Sequence, residues 1–301
     1  MVLVTAVAAI SLAAIFIKLA MQEAALEQRP EDKPGFGVFL SASRMGLAAI
    51  LMFPLWLRAR RKRDKDAPTP DSRARAFAVI AGVFLGLHFA LWISSLAYTS
   101  VAASVTLVTT NPLWVAFFGW ILFKTRPGRR TVLGILVAIA GGAYVGLGAG
   151  AGNDAGSNPL LGDALALTGS MAMSIYLLLG QQAQRRGYDT TTYSFTAYCV
   201  AALVLFPVPF LFGTGYTGHP TEVYVWILCL ALVSQMVGHT GLNWSVRWVA
   251  PTTVALAILF EPIGSSVLDF AVFGSVPAAT VWLGGSAIIA GVAIVVWGQR
   301  G

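Results

Sequence analysis

The chain has 301 residues, 57% of them hydrophobic and only 11% charged, with a mean hydropathy of +0.74. A soluble domain carries about one quarter charged residues, so this chain cannot cover itself with polar surface and a water-soluble globule is excluded. The net charge of +7 sits almost wholly in short connections between apolar runs. That distribution excludes a nucleic-acid-binding face and points to charge sorting across a membrane.

A bilayer-spanning helix needs about 20 mostly apolar residues. In chain order, ten such stretches run over 2–21, 36–57, 76–98, 101–123, 131–150, 160–181, 191–212, 223–246, 252–274 and 278–298. Tight joints at Tyr98-Thr99-Ser100 and Val249-Ala250-Pro251 divide apolar runs too long for one helix. The first stretch has no basic residue ahead of it and no clear A-x-A pattern behind it, so it reads as a membrane helix rather than a cleaved signal. Cys199 and Cys229 lie inside apolar runs and read as small buried thiols, with no spacing that suits a disulfide or a metal.

The connections give the orientation. The second carries Arg58, Arg60, Arg61, Lys62, Arg63, Lys65, Arg73 and Arg75, and the fourth carries Lys124, Arg126, Arg129 and Arg130. Arg185 and Arg186, Arg247 and Arg300 continue the same side. The opposite side has Arg29 and Lys33 against Glu23, Glu27, Glu31 and Asp32. The positive-inside rule therefore predicts both termini in the cytoplasm, in a multi-pass protein of the inner membrane.

Residues 101–148 and 251–298 align without a gap. Pro112 meets Pro262, Phe123 meets Phe273 and Pro127 meets Pro277. Leu133, Gly134, Ile139, Ala140, Gly141, Ala143, Val145 and Gly148 meet Leu283, Gly284, Ile289, Ala290, Gly291, Ala293, Val295 and Gly298. A unit written twice dictates architecture. With five helices per unit, the second copy must insert upside down. The expected fold is thus an all-α polytopic membrane protein of ten transmembrane helices. Its two inverted five-helix repeats, 1–150 and 151–301, enclose a working site at mid-depth.

At 1.5 Å per residue, Arg44, His88, Asn111, Gln235 and Glu261 fall near the bilayer midplane. An isolated charge there costs at least about 2.5–3.5 kcal/mol, so such groups face an interior or a cavity. Asn111 and Glu261 occupy equivalent places in the two copies, and each precedes a proline that removes a helical hydrogen bond. Pro112 and Pro262 are therefore candidate gating positions, and the carbonyls they free need water, protein or substrate. Arg44 reads either as a clamp for a carboxylate or phosphate or as a buried partner of Glu261. Helix periodicity groups His88, Trp92 and Ser95; Leu107, Asn111, Trp114 and Phe118; and Gln235, His239 and Leu242, with Tyr176 on the sixth helix. Rings and amides converging in this way suit an amphipathic organic solute, whereas the plain alternative is ordinary core or lipid-facing aromatics. His88 and His239 are candidate proton relays or satisfied core histidines. Lys18 and Asp269 approach the outer face, where they form an outer gate or, for Lys18, snorkel. Asp163 is expected close to the outer surface. The spacings Gly142/Gly146 and Gly82/Gly86 suit close helix contact and leave a homodimer open.

Several residues resemble a known family. Asn111-Pro112, the run Phe260-Glu261-Pro262-Ile263-Gly264, and the segments Leu87-His88-Phe89-Ala90-Leu91-Trp92 and Ser95 to Ser104 are similar to motifs of EamA-type permeases in the drug/metabolite transporter superfamily. Where many members carry Gly-Glu after helices four and nine, this chain has Lys124-Thr125 and Gly274-Ser275, so no role of those carboxylates carries over. The resemblance implies a central cavity lined by helices 1, 3, 4, 6, 8 and 9, with 5 and 10 peripheral. It also implies export or exchange of small organic molecules without ATP. No Walker A loop, H-E-x-x-H or G-x-S-x-G occurs, and no Cys/His set has metal spacing.

The expected function is secondary transport of a small amphipathic metabolite by alternating access, most simply export, with hydrophobic or aromatic amino acids as the leading substrates. Uptake or exchange of a nucleoside, sugar or organic cation is the alternative, and an intramembrane enzyme built on His88 and Glu261 a remote one. The expected partners are a small-molecule substrate and the lipid bilayer, with no cofactor, metal or nucleic acid.

Overall fold

The structure is a computed structural model that describes residues 1–25, 33–62, 69–95, 98–99, 104, 107–149, 158–274 and 279–298. Arg29 with Glu27, Glu31 and Asp32, then Arg63 and Lys65, the start of the fourth span, Ser275 and Arg300 lie outside the described residues.

Ten helical segments follow one another: α1 (Val2–Glu23), α2 (Lys33–Lys62), α3 (Ser72–Ser95), α4 (Asn111–Phe123), α5 (Arg129–Ala149), α6 (Pro159–Arg185), α7 (Thr190–Leu211), α8 (Thr221–Trp248), α9 (Pro251–Phe273) and α10 (Ala279–Gly298). Seven of them are long and apolar enough to cross a bilayer, and α4 is a shorter apolar helix. The helix starts follow local chemistry. Asp71 accepts from the N–H of Ala74 at 2.6 Å ahead of α3, Asn158 from Leu161 at 3.3 Å ahead of α6, and Asp189 from Thr192 at 2.9 Å ahead of α7. Each satisfies one of the first-turn donors that a helix cannot satisfy itself. Pro159 and Pro251 occupy first-turn positions of α6 and α9, where the missing N–H costs nothing.

α9 is interrupted near its middle, and a turn of the same kind stands directly ahead of α4. In α9 the first part ends at Ile258, and the helix restarts at Glu261. Residues 107–110 form the turn ahead of α4, which begins at Asn111. The tightened turns are alike: the N–H of Thr110 donates to Leu107 O at 3.2 Å, and that of Phe260 to Ala257 O at 3.1 Å. Both helices end on a left-handed residue, Lys124 (φ 58°) and Gly274 (φ 73°).

Helix partnerships exchange in pairs. α3 lies along α6 as α8 lies along α1; α4 meets α6 as α9 meets α1; α2 pairs with α7 and α5 with α10. The α5–α10 contact is reciprocal. A Cβ on Gly134 would stand 2.6 Å from Gly291 O, and one on Gly291 2.5 Å from Gly134 O, while Gly141 meets Gly284 O at 2.6 Å. These helices are antiparallel and touch backbone to backbone, which only glycine permits. Gly82 and Gly86 likewise admit Val200 and Val204 of α7, and Gly142 admits Leu259 and Thr109. Leu133 and Leu283 are 54% and 62% exposed, as on a lipid-facing rim. The main core runs from Val38 and Met45 through Phe89 to Tyr176, Tyr193, Tyr198 and Leu242.

Candidate functional site

A cavity of about 60 Å³ lies at the centre of the bundle, beside the turn ahead of α4 and the break in α9. α1 gives it Ile10 and Ala13, α2 Arg44, α3 His88, Phe89 and Trp92, and α6 Met173. Val108, Thr109 and Asn111 come from the turn ahead of α4 and its first residue, Ser234, His239 and Leu242 from α8, and Ile258 and Glu261 from the α9 break. α1, α3, α4, α6, α8 and α9 all contribute, α2 adds the arginine, and nothing comes from α5 or α10.

Arg44 is 2% exposed, with its guanidinium carbon 3.9 Å from the centre of the Phe89 ring. That stacking holds the cation in an apolar setting, but it leaves Nε and Nη2 buried without hydrogen-bond partners. These two nitrogens present parallel N–H bonds along one edge, the arrangement that matches two oxygens of a carboxylate or phosphate. Glu261 lines the same cavity, yet no ion pair joins it to Arg44 among the described residues.

The ring of His88 is oriented by its backbone partner. Nδ1 lies 2.9 Å from Gly169 O, so it donates, and the neutral ring presents Nε2 as an acceptor. His88 stacks on Trp92 with 12° between the planes, and Phe89 meets His239 edge-on. Further buried polar atoms on the cavity walls lack partners: Trp92 Nε1, Asn111 Oδ1, Ser234 Oγ and His239 Nδ1. Native interiors satisfy nearly all such atoms, so their concentration around one cavity marks a place that water or a polar ligand completes. Among the described residues no cluster of three or more His, Cys, Asp or Glu could hold a metal ion.

Six of the nine residues expected at a binding site line this cavity: Arg44, His88, Trp92, Asn111, His239 and Glu261. Tyr176 does not, because its hydroxyl donates to Asn243 Oδ1 at 2.6 Å and its ring stacks on Tyr193 within the core. Trp114 turns its N–H to Thr110 Oγ1 at 3.1 Å and its ring to Phe117 and Phe118. Gln235 is fully buried outside the lining, and both of its amide atoms are unpartnered. Its placement has a backbone cause. Leu230–His239 is π-helical, so the residue one turn before His239 is Ser234 rather than Gln235. Ser95 likewise faces Ser104, at 2.7 Å between hydroxyls. Phe89 and Ser234 are among the lining residues that the sequence did not single out as site candidates. Phe89 follows His88 directly and could have been suspected, whereas nothing in the sequence signals the π segment.

Lys18 Nζ lies 2.8 Å from Asp269 Oδ1 and 4.1 Å from the centre of the Phe273 ring, at the end of the bundle away from the basic connections. Asp163, half-buried, accepts from Thr99 Oγ1 at 2.8 Å.

Comparison with known proteins places these features in context. The model of the EamA-like transporter family matches residues 1–147 and again 160–297. An uncharacterized transporter of Archaeoglobus fulgidus is 25% identical over 281 residues, covering 92% of this chain and 90% of its own length. The uncharacterized transporter YdfC of Bacillus subtilis is 22% identical over 252 residues, covering 82% of this chain and 77% of its own. One solved crystal structure superposes with a TM-score of 0.70 over 96% of this chain and 97% of its own, at 17% identity, a likeness of fold alone.

Proposed function

Because the chain belongs to the EamA-like transporter family, we propose that its central cavity is the substrate site of a secondary carrier, opened to each side of the membrane in turn without ATP. The observation that carries this reading is the set of unpartnered polar atoms on the cavity walls, flanked by the tightened turns at Asn111-Pro112 and Glu261-Pro262. Broken helices at mid-depth supply polar backbone where a carrier binds its solute. The halves 1–150 and 151–301 rock as inverted units, a motion supported by the exchange of helix partners and by the reciprocal α5–α10 contact. The basic connections favour termini in the cytoplasm and residence in the inner membrane.

The substrate class we infer is a small amphipathic amino acid with an aromatic or apolar side chain. Its carboxylate takes the Nε and Nη2 edge of Arg44, its ammonium faces Glu261, and its side chain lies against Phe89, Trp92 and His88. The direction is export, by analogy with the family. An organic cation held by Glu261 alone is the second reading, favoured by the absence of a direct Arg44–Glu261 pair. Proteoliposome counterflow with radiolabelled phenylalanine, a nucleoside, a sugar and a quaternary amine separates the readings. We expect phenylalanine to exchange and to be recovered chemically unchanged. Arg44→Lys raises its KM about 10- to 100-fold, the loss of a charge-assisted bond worth about 1.5–3 kcal/mol. Exchange of the amine alone, abolished by Glu261→Gln and indifferent to Arg44→Lys, establishes the second reading instead. A converted product refutes transport in favour of catalysis.

A further inference from the structure

A second hollow, of about 260 Å³, opens at the basic end of the molecule among the end of α4, the turn after it, the start of α5, the last turns of α6 and the first residues of α9. Arg126 and Arg185 stand on its wall. Both are exposed, and neither has an ion pair among the described residues. Thr125, Thr131 and Thr252 add hydroxyls around them. Directly beside this hollow runs a groove of about 170 Å³ between α4 and α5, lined by Leu113, Phe117, Trp120, Val132, Ile135 and Leu136. Ala116 and Pro127 belong to both walls, so the two spaces adjoin. Leu113, Phe117, Trp120, Val132 and Leu136 are exposed large apolar side chains. From Trp120 back to Leu113 the groove descends about 10 Å along the helix, within the depth of one acyl layer.

We propose that the hollow and groove together bind one anionic phospholipid, with its phosphate between Arg126 and Arg185 and an acyl chain in the α4–α5 groove. Basic pockets between transmembrane helices at the interface suit anionic head groups, and guanidinium groups pair with phosphate oxygens in a fixed fork. The apolar groove selects a lipid over a soluble phosphate. The absence of any acidic side chain from either wall, among the described residues, disfavours a zwitterionic head group, whose cation would meet the arginines. The occupied site touches α4 and, through Ala250, Pro251 and Thr252, the start of α9. One lipid thus braces both α4 and α9 at this end.

Delipidated full-length protein in detergent, titrated separately with phosphatidylglycerol, phosphatidylcholine and inorganic phosphate, tests this by native mass spectrometry and thermal unfolding. The expected result is retention of phosphatidylglycerol with a raised Tm, and little effect of the other two. The double variant Arg126→Gln/Arg185→Gln binds phosphatidylglycerol roughly 30-fold more weakly, from about 1 kcal/mol for each arginine. Leu136→Trp, or Val132→Trp should the first fail to fold, fills the groove and weakens binding with both arginines in place. Arg130→Gln, an exposed arginine outside the hollow, changes nothing. Equal retention of phosphatidylcholine overturns the proposal, as does Arg130→Gln matching the double variant. Full stabilisation by phosphate alone, or unchanged binding with a filled groove, shows a free-anion site and no lipid.

Discussion

Arg44 and Tyr176 are equally hidden, at 2% and 0% exposure, yet their hydrogen-bonding positions are opposite. The Tyr176 hydroxyl has Asn243, which in turn donates to Ser194 Oγ at 3.0 Å and, through its carbonyl, accepts from Gln184 at 2.7 Å. This chain of bonds ties α6, α7 and α8 together and has no opening for a ligand. Arg44 keeps two donors unmet. Tyr176→Phe is therefore expected to lower stability by about 1–3 kcal/mol, because it leaves Asn243 Oδ1 buried without its donor, while leaving the KM for transport unchanged. Thermal unfolding and counterflow read the two effects separately, and a raised KM moves Tyr176 back to the substrate. Depth along the helix was enough to pick out Arg44, His88, Asn111 and Glu261 from sequence, since an ionisable or amide group at the midplane needs an interior. Depth says nothing about which neighbour satisfies a group. That is why Tyr176 and Trp114, whose partners are Asn243 and Thr110, could not be separated in advance from the residues that line the cavity.

At the scale of the element, the turn ahead of α4 and the interruption of α9 were legible because Asn-Pro and Glu-Pro at equivalent positions remove the same backbone donor twice. The π-helical stretch of α8 was not legible. Its residues, Leu230 to His239, have ordinary helical character, and this stretch packs against α1 as do the turns on either side of it. There a Cβ on Gly238 would approach Ile10, and one on Gly241 would approach Ala6. The consequence is a change of face. Five-residue spacing joins Ser234 to His239, and four-residue spacing would have joined Gln235. Ser234→Ala should raise the KM about 2- to 10-fold, the worth of one neutral hydrogen bond of about 0.5–1.5 kcal/mol, whereas Gln235→Leu should leave it unchanged. The reverse pattern in counterflow assays means that α8 binds substrate in the α-helical register.

Across the whole molecule, composition and charge bias fixed the membrane class and the ten helices before any coordinates, because apolar length and loop charge are properties of the chain itself. The two ends also differ in a further respect. Position 119, which the repeat aligns with Asp269, is glycine, so the charge that pairs with Lys18 at one end has no counterpart at the other. Gly119 instead faces Thr125 and Leu178, with a Cβ there standing 2.9 Å from Thr125 Oγ1 and 3.6 Å from Leu178 Cδ2, beside the open basic hollow. One end thus carries a charge pair whose repeat-related counterpart is missing at the other. The Lys18–Asp269 side chains are 44% and 30% exposed, so water screens the pair and its worth is about 0.2–1 kcal/mol. A difference of that size biases a two-state equilibrium by about five-fold at most. Asp269→Asn is accordingly expected to raise the rate at which a cysteine at Ser234 is labelled from the Lys18 end by up to about five-fold, in protein with Cys199 and Cys229 replaced by serine. Exchanging the charges, Lys18→Asp with Asp269→Lys, should restore the slow rate. If Asp269→Asn leaves labelling unchanged, the pair is only a surface contact, and the end is held shut by the apolar contacts of α1 with α9.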